Sequence, residues 1–435
     1  MPKINLITEK VVTTGINLQE EAIIKARANP SQDPIQTAMA AIREQLVRDD
    51  LIRAKWEHRK EIESKIRVLV QEQSLLESEK GKLLQMVLDD LFGFGFLEKY
   101  RKDGEITEII INGPHTIMIE KGGTLYDVRE SFADAEDLSL WFDTHIMVMS
   151  DGKRHFDENT PLLDMETRDG ERIQATRPPV TEYITVNVRK AASQTRYFSA
   201  KDFVNLGSAS EEEMEFLLNA VRNRLTVMVF GRTGSGKTAL VRELIEEGIS
   251  DDEYVIFIED TRETNARKKR FLSLQTVERE NEEQSITMSK LFKAAMRKRP
   301  DRVCVSEIRG EEAAPFLRTT ASGHPGPITT MHAGNPKRAV FLLMFYLKLS
   351  GQMDMDRESL EEFIREQIHI MVFIDRFRDG SRKITQIVEV NPIDSERGKN
   401  GEPFTTLFAL DPVTKTHQKL ADLSPERQLE IQLRG

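Results

Sequence analysis

Hydrophobic and polar positions follow different patterns along three stretches of the chain. Between Pro34 and Gly81 there is no further proline or glycine, and apolar residues recur at helical spacing with charged residues between them. This pattern predicts one long helix or a pair of helices. Two interpretations stay open: a packed helical extension, or an arm that docks a partner. The apolar positions are Ile42, Leu46, Trp56, Ile62, Ile66 and Leu69.

Residues 82 to 190 show short apolar runs separated by turn residues. The stretch EITEIIINGPHTIMIEKGGTLY predicts three strands joined by an Asn-Gly-Pro turn and a Gly-Gly turn. LLDMETRDGERIQATRPP predicts a hairpin that turns at Asp169 and Gly170, and YITVNVRK predicts a further strand. We therefore expect a small α+β domain here. The small and polar residues 191 to 202 are expected to form an interdomain linker.

From residue 203 to residue 435, short apolar strands alternate with amphipathic helices. RLTVMVF, YVIFIED, RVCVSE and PITTMHA read as strands, and EEEMEFLLNAV, TALVRELIEEG and SKLFKAAMRK read as helices. Such alternation predicts an α/β domain, a largely parallel sheet covered by helices. The expected order is a helical extension (1–81), an α+β domain (82–190), a linker (191–202) and an α/β domain (203–435).

Composition narrows the class of protein. The net charge is -10, which argues against nucleic-acid binding through overall charge, because that binding needs clustered Lys and Arg. A single cysteine, Cys304, excludes an intrachain disulfide and an all-cysteine zinc site, and it fits a reducing cytoplasm. The start, MPKINLITEKVVTTG, has no signal-peptide core. The longest apolar run, AVFLLMFYL, is too short to cross a bilayer as a helix, so any membrane role is expected to be peripheral.

The segment GRTGSGKT fits the pattern of a phosphate-binding loop. Glycines let the backbone wrap tightly so that successive N–H groups face phosphate oxygens, and the following helix adds its positive dipole end. Lys237 is expected to reach the β and γ phosphates, and Thr238 to offer its hydroxyl to Mg²⁺. The predicted nucleotide-binding residues of the loop are Gly231, Arg232, Thr233, Gly234, Ser235, Gly236, Lys237, Thr238 and Ala239.

Three further stretches place candidate catalytic residues where predicted strands end. IFIEDTRE carries Glu259, Asp260 and Glu263, RVCVSEIRG carries Glu307 and Arg309, and SGHPGPITTMHAG carries His332. In an open parallel sheet, ligands bind beyond the carboxyl ends of the strands, so these groups are expected to meet the phosphate loop.

Attack of water on a γ-phosphate needs a residue that orients the water, and Glu307 is the best candidate. Mg²⁺ keeps several waters, so Thr238 can be its one direct protein ligand. Ser306, Glu263 and Glu307 are then expected to hold the metal mostly through water. Alone, an acidic residue after a strand is usually a solvated loop residue, and a single histidine is more often structural; the joint occurrence of these residues after a phosphate loop favours a site.

Together these segments resemble the ATPases of type II and type IV secretion, conjugation and pilus assembly. IFIEDTRE matches that family's Asp box, MRKRPDRVCVSEIRG its Walker B region and SGHPGPITTMHAG its His box. The match also takes in TEIIINGP, PLLDMETRDGERIQA, TVNVRK and the late strand pair FRDGSRKITQIVEV, and covers roughly residues 84 to 392. Two departures stand out: Ser306 replaces the usual Gly before Glu307, and QTVERENEE replaces a Glu-Thr-Arg pattern.

The resemblance implies a RecA-like P-loop domain, a PAS-like α+β domain before it, and a homohexameric ring that hydrolyses ATP with Mg²⁺. Closure of the two domains would drive work on inner-membrane platform proteins, with the ring on the cytoplasmic face of the membrane and no direct contact with nucleic acid. Arg172 and Arg189 of the smaller domain would reach the γ-phosphate. Arg309 is a candidate near the site, catalytic or structural, and Arg302 is open to either role. The linker would absorb the domain motion.

The subclass and three rival functions also follow from the sequence. Type II secretion and type IV pilus motors typically carry a four-cysteine metal module, so one cysteine favours the conjugation-type and Tad (Flp) pilus ATPases, and the helical extension favours the Tad side.

The main rival is a nucleic-acid translocase with a RecA-like engine, whose turnover DNA or RNA would stimulate. A small-molecule kinase and a nucleotide-gated scaffold without useful turnover are the other two.

Overall fold

The computed structural model describes residues 33–48, 58–149, 155–191, 196–277, 282–353 and 355–434. Expectations for residues 1–32, for Trp56 and for the centre of QTVERENEE lie outside these residues. The chain divides into two compact units, Met1–Lys190 and Ala191–Gly435. Across the described residues, no helix is both long and apolar enough to span a bilayer.

The first unit begins with a small helical bundle. Helices α1 (Pro34–Arg48), α2 (Arg59–Gln71) and α3 (Glu77–Phe92) bury one apolar stripe each. Their shared core includes Ile42, Leu46, Ile66 and Val87. The predicted helical spacing is thus confirmed, and these stripes pack against one another.

Helix α3 runs through residue 81, so the expected boundary between the helical extension and the α+β domain does not coincide with the end of a helix. The expectation rested on Gly81. A methyl group there would meet nothing within 4 Å, so Gly81 is an exposed helical position. Glycine in an exposed helix interior costs about 1 kcal/mol relative to alanine, which a packed helix tolerates.

The rest of this unit is an antiparallel sheet with short helices. The strands are β1 (Ile106–Asn112), β2 (Ile117–Lys121), β3 (Thr124–Asp127), β4 (Leu162–Glu166), β5 (Arg172–Thr176) and β6 (Thr185–Arg189). They lie in the order β3-β2-β1-β6-β5-β4. The predicted hairpin forms between β4 and β5, with Gly170 at φ 87° in the turn. Helices α4 (Glu98–Lys102) and α5 (Ala135–Trp141) accompany them.

The second unit is the predicted α/β domain. Its strands are β7 (Val227–Phe230), β8 (Val255–Glu259), β9 (Phe271–Gln275), β10 (Arg302–Val305), β11 (Ile328–Met331), β12 (Ile370–Arg376), β13 (Arg382–Val390), β14 (Phe404–Leu410) and β15 (His417–Lys419). Strands β10, β8 and β9 form one parallel sheet. Strands β11, β7 and β12 run parallel in a second sheet that continues antiparallel through β13, β14 and β15.

Helices cover both faces of these sheets, because the central strands are buried on both sides. The helices are α6 (Ala200–Asn205), α7 (Glu211–Arg222), α8 (Lys237–Gly248), α9 (Met288–Met296), α10 (Ala313–Ala321), α11 (Pro336–Leu349), α12 (Arg357–Gln367), α13 (Glu396–Lys399) and α14 (Pro425–Arg434). One core cluster contains residues of α9 to α12, and the other contains residues of α7 and α8.

The end of the expected linker belongs to this second unit. The Tyr197 hydroxyl and the Ala200 amide both donate to the carboxylate of Glu243 on α8. Ser199 caps α6 through the amide of Asp202. Residues 192–195 lie outside the described part, and the segment from Tyr197 onwards is packed.

Arg302 has a structural role. Its side chain is 0% exposed and makes a bidentate pair with Glu253, with Nε–Oε2 and Nη2–Oε1 both at 2.8 Å. Its Nη1 donates to the carbonyls of Val221 and Gly326. A guanidinium with these partners cannot serve as a catalytic arginine, which corrects the open alternative for this residue.

Candidate nucleotide-binding site

Strand β7 and helix α8 are joined by a loop whose backbone requires glycine. Gly234 and Gly236 have φ of 72° and 98°, values that favour glycine. A Cβ on Gly231 would lie 2.2 Å from the Ile374 carbonyl oxygen and 2.5 Å from the Ser235 hydroxyl. These positions explain why the sequence pattern spaces its glycines as it does.

The loop holds a cation and an uncommitted hydroxyl in its interior. Lys237, the first residue of α8, is 8% exposed, and its Nζ donates to the carbonyls of Gly231 (3.0 Å) and Arg232 (3.1 Å). The Ser235 hydroxyl is buried and has no hydrogen-bond partner among the described residues. A buried ammonium, a buried hydroxyl and a helix N-terminus together fit a phosphate group.

His332 connects Lys237 to Glu307. The Lys237 Nζ lies 3.4 Å from His332 Nδ1, and His332 Nε2 lies 2.8 Å from Glu307 Oε1. An ammonium can only donate, so Nδ1 is the acceptor from Lys237, and Nε2 lies within ion-pair distance of the Glu307 carboxylate without a hydrogen bond to Oε1. Three of the predicted residues therefore form one connected chain at the carboxyl ends of β7, β10 and β11.

The second oxygen of Glu307 is held by Arg309. Arg309 Nη2 lies 2.6 Å from Glu307 Oε2, and this hydrogen bond raises the pKa of Arg309 above its usual range. Arg309 Nη1 is 3.9 Å from Asp260 Oδ2. The Glu307 side chain is 14% exposed, and both of its oxygens have cationic or imidazole neighbours.

The backbone on either side of Glu307 is anchored to neighbouring strands. The Ser306 amide donates to the Ile258 carbonyl, and the Ser306 carbonyl accepts from the Thr330 hydroxyl, both at 2.8 Å. The Ile308 amide donates to the Thr330 carbonyl at 2.8 Å. With serine in place of the usual glycine, Glu307 still lies between two anchored residues.

A family model described as "Type II/IV secretion system protein" matches residues 91–364. The chain belongs to this family. Residues 91–364 include the phosphate loop and the segments that carry Glu259, Glu307 and His332. This secretion ATPase family, the RecA-like fold class and the ATPase activity predicted from the motifs are thereby confirmed.

Curated relatives agree with that assignment. The VirB11 protein of the Bartonella henselae type IV secretion system is 29% identical over 328 residues, which is 67% of this chain and 90% of the relative. The VirB11 protein of Brucella suis is 30% identical, covering 63% of this chain and 81% of the relative. The conjugal transfer protein TrbB of Rhizobium radiobacter is 26% identical, covering 66% of this chain and 84% of the relative.

A solved structure shows the same fold. The Legionella pneumophila ATPase DotB has a TM-score of 0.50 at 17% identity, covering 70% of this chain and 81% of the DotB chain. This likeness concerns the fold.

Within this secretion ATPase, Glu259 has a role that the sequence did not reveal. Its carboxylate is 0% exposed and accepts from the amides of Glu263 (3.0 Å) and Thr264 (3.1 Å) and from the Ser273 hydroxyl (2.7 Å). Burial raises the pKa of Glu259 against these hydrogen bonds. Glu259 thus fixes the loop that carries Asp260 and Glu263. Its place at the buried end of a strand was the available signal.

Arg172 and Arg189 are neighbours in the first unit. They are register partners on the antiparallel strands β5 and β6, and Glu108 is the partner of Arg189 on its other side. Like charges directly opposite each other on a sheet are unfavourable, and at Arg189 the Glu108 carboxylate offsets part of this repulsion. Contact of Arg172 and Arg189 with the γ-phosphate stays a prediction.

A metal site built from protein carboxylates and imidazoles alone is absent from the described residues: no group of three or more His, Cys, Asp or Glu is placed to hold an ion. Mg²⁺ bound to a nucleotide needs only one or two protein ligands besides phosphate and water. Thr238, in the first turn of α8 beside the loop, fits that requirement.

Proposed function

We propose that this ATPase is an ATP- and Mg²⁺-dependent motor that forms a homohexamer and drives a secretion or pilus assembly machine at the cytoplasmic face of the inner membrane. The chain from Lys237 through His332 to Glu307 carries the proposal, because it joins the phosphate loop to a carboxylate able to orient water. Relatives named as components of type IV secretion and conjugal transfer support the choice of machine.

The loop residues bind the phosphates of the nucleotide, and the first turn of α8 completes the binding site. Lys237 exchanges its two loop carbonyls for phosphate oxygens, and the amides of residues 232 to 239 face the phosphates. The Ser235 hydroxyl gains a partner in the same step. When bound, Mg²⁺ neutralises phosphate charge, with Thr238 as its direct protein ligand and Glu263 and Glu307 acting through water.

Glu307 orients the attacking water, and His332 links this carboxylate to Lys237 in the phosphate loop. Arg309 fixes one carboxylate oxygen, so the other is directed along the line to His332 and Lys237. A change at Lys237 on binding is then passed through the imidazole to the carboxylate. Hydrolysis consumes one water per γ-phosphate, with the water proton taken up at Glu307 or through it by solvent.

Arg172 and Arg189 are proposed to supply positive charge to the γ-phosphate from the smaller domain. Such an arginine contributes about 10³ to 10⁵ in rate in enzymes of this chemistry. Membrane platform proteins of the machine are the proposed partners, and domain closure is the proposed power stroke.

Steady-state phosphate release tests the proposal. The wild-type chain should hydrolyse ATP with Mg²⁺, and Lys237→Ala should lose binding or turnover. Release is measured with anionic vesicles, with single-stranded DNA and with neither. Stimulation by DNA with a steep salt dependence would replace the secretion motor by the nucleic-acid translocase. Mass in solution with and without ATP tests the hexamer, and a monomer in both conditions would contradict it.

A further inference from the structure

The sheet formed by β10, β8 and β9 has a cluster of cationic residues where its strands begin. The strands are parallel, and Arg302, Val255 and Phe271 lie in one row of the register at their starts. The segments that lead into β9 and β10 therefore reach the same edge of the sheet. We call their cationic residues the cationic edge: Arg267, Lys268, Lys269, Arg270, Arg297, Lys298 and Arg299.

Backbone hydrogen bonds fix both segments against the start of β8. The Val255 amide donates to the Arg270 carbonyl, and the Asp301 amide donates to the Tyr254 carbonyl, both at 2.9 Å. Neighbouring strands lie about 4.8 Å apart, so the two segments are about 10 Å from each other at this edge. Strand β9 and helix α9 separate them in the sequence, but in the folded chain they belong to one surface.

Only part of this positive charge is neutralised by the protein. Lys268 pairs with Asp251 at 2.8 Å, and the charge of Lys269 also acts on that carboxylate. Arg270 Nη2 lies 3.6 Å from Asp252 Oδ1. Within the described part of the chain, three exposed guanidinium and ammonium groups at the end of α9 have neither a hydrogen bond nor an ion pair: those of Arg297, Lys298 and Arg299.

The cationic edge has no exposed apolar side chain that could anchor a partner. In residues 251–277 and 282–302, the exposed large hydrophobic side chains are Val277 and Ile286, which pair with each other beyond the carboxyl end of β9. Tyr254 and Phe271, beside the cationic edge, pack against the two cores. Protein partners depend on apolar or aromatic anchors, and single-stranded nucleic acid depends on aromatic side chains that stack with bases. A surface of charge alone suits a layer of anionic lipid headgroups.

The cationic edge lies at the opposite end of the strands from the candidate catalytic residues. Glu259 ends β8 and Glu307 follows β10, whereas the cationic residues precede β9 and β10. A strand of five residues spans about 16 Å. Contact between the cationic edge and a flat surface therefore leaves the carboxyl ends of these strands free for nucleotide chemistry.

We propose that the cationic edge is a docking surface for a membrane that contains anionic phospholipids. It holds the second unit at the lipid surface through charge. The inference deepens the proposed function, because it rests on the proposed location at the cytoplasmic face of the membrane and names the surface and the class of ligand. Each cation near an anionic membrane adds to the attraction, and the attraction weakens as ionic strength rises.

Two triple variants separate local charge from net charge. The edge variant combines Lys269→Gln, Arg297→Gln and Lys298→Gln, and it removes charge from both segments of the cationic edge. The control variant combines Lys60→Gln, Arg67→Gln and Lys82→Gln, exposed positions on α2 and α3 of the first unit. Both variants lose three positive charges, so only the place of the loss differs. Urea midpoints near that of the wild type verify that both variants fold.

The test is co-sedimentation of the full chain with vesicles of phosphatidylcholine alone, or of phosphatidylcholine and phosphatidylglycerol in equal parts. The wild type and the control variant should bind the anionic vesicles and not the neutral ones, and added salt should weaken the binding. The edge variant should bind the anionic vesicles about a hundredfold more weakly, because each cation near such a surface contributes about fivefold.

Four results would overturn the inference. They are equal binding of the edge and control variants, wild-type binding to neutral vesicles as strong as to anionic ones, no wild-type binding to either, and preferential binding of single-stranded DNA that the edge variant loses. The last result would make the cationic edge a nucleic-acid surface. ATP turnover without vesicles is measured separately. Normal turnover with no vesicle binding counts against the cationic edge alone, whereas a wild type without turnover counts against the proposed function.

Discussion

An arginine–glutamate pair lies at each end of strand β10, and the two pairs have different roles. At its start Arg302 is 0% exposed and Glu253 is 11% exposed, and the two side chains form a bidentate pair. Beyond its end Arg309 is 60% exposed and Glu307 is 14% exposed, and Glu307 also contacts His332. The same two residue types give structure in one case and a candidate catalytic site in the other.

The difference lies in what else each pair contacts. Arg302 also binds the Val221 and Gly326 carbonyls, which ties a helix and a loop to the strand. All its partners are fixed protein atoms, so the pair gains nothing from a ligand. Glu307 is linked through one imidazole to a lysine in the phosphate loop, so its surroundings change when the loop binds an anion.

The largest expected effect is the loss of stability on breaking the buried pair. Arg302→Ala removes both hydrogen bonds that Arg302 donates to the Glu253 carboxylate. This loss should destabilise the fold by about 3–5 kcal/mol. Urea unfolding measures this free energy. The double variant Arg302→Met, Glu253→Met removes both charges and should cost less than the single change. If the double variant has the lower free energy of unfolding, the pair contributes more to stability than the mutual neutralisation of its two charges.

The second effect sharpens the functional side of the comparison. Glu307→Gln keeps the shape of the side chain and should lower kcat by about 10²-fold or more, as loss of a positioned acid–base group does. Nucleotide affinity and the urea midpoint should stay near those of the wild type. Near-normal turnover would reject the role of Glu307, and a large loss of stability would make this pair structural after all.

His332 should show a smaller effect of the same kind. His332→Ala breaks the link between Lys237 and Glu307 but leaves Arg309 on the carboxylate. We expect kcat to fall about tenfold, in keeping with the loss of a hydrogen bond to a charged group, with KM changed little. A collapse of affinity with intact turnover at saturation would show that the imidazole binds nucleotide and does not couple the two groups.

The smallest effect is a pH dependence of stability. Burial raises the pKa of Glu253, but the hydrogen bonds and charge of Arg302, together with the charge of Arg224, outweigh burial and hold this pKa below its ordinary 4.5. A depressed folded-state pKa adds stability that is complete above the unfolded value and is lost as pH falls through the folded value. Stability should therefore decline below about pH 4.5. Arg302→Met should reduce this part of the slope, and an unchanged slope would assign it to other carboxylates.

Short-range rules explain why so much of the site was readable. The phosphate loop, its strand and its helix lie within one short segment, and glycine, lysine and threonine have few substitutes there. Residues that end parallel strands meet at one edge, which placed Glu307 and His332 near Lys237. The helical spacing of the first stretch likewise predicted its packed stripes.

Longer-range features were not readable in the same way. Gly81 does not end its helix, which continues to Phe92, because this exposed position tolerates a glycine. In the sequence, Glu259 is one of three acidic residues of IFIEDTRE with nothing to distinguish it. Only the structure shows that it is buried and accepts hydrogen bonds from three donors. The hairpin of β12 and β13 is far from the loop in sequence, and only the pairing of β12 with β7 brings it there.

By itself the sequence determined the chemistry of the loop, the alternation of strands and helices, and the family, because each depends on residue types at short fixed spacings. The tertiary structure alone decided which arginine is structural and which faces the site. Arg302 and Arg309 stand close together in the chain, but their partners come from distant segments. Burial, which sets whether a charge must be satisfied by the protein or remains available to a ligand, is a property of the folded chain.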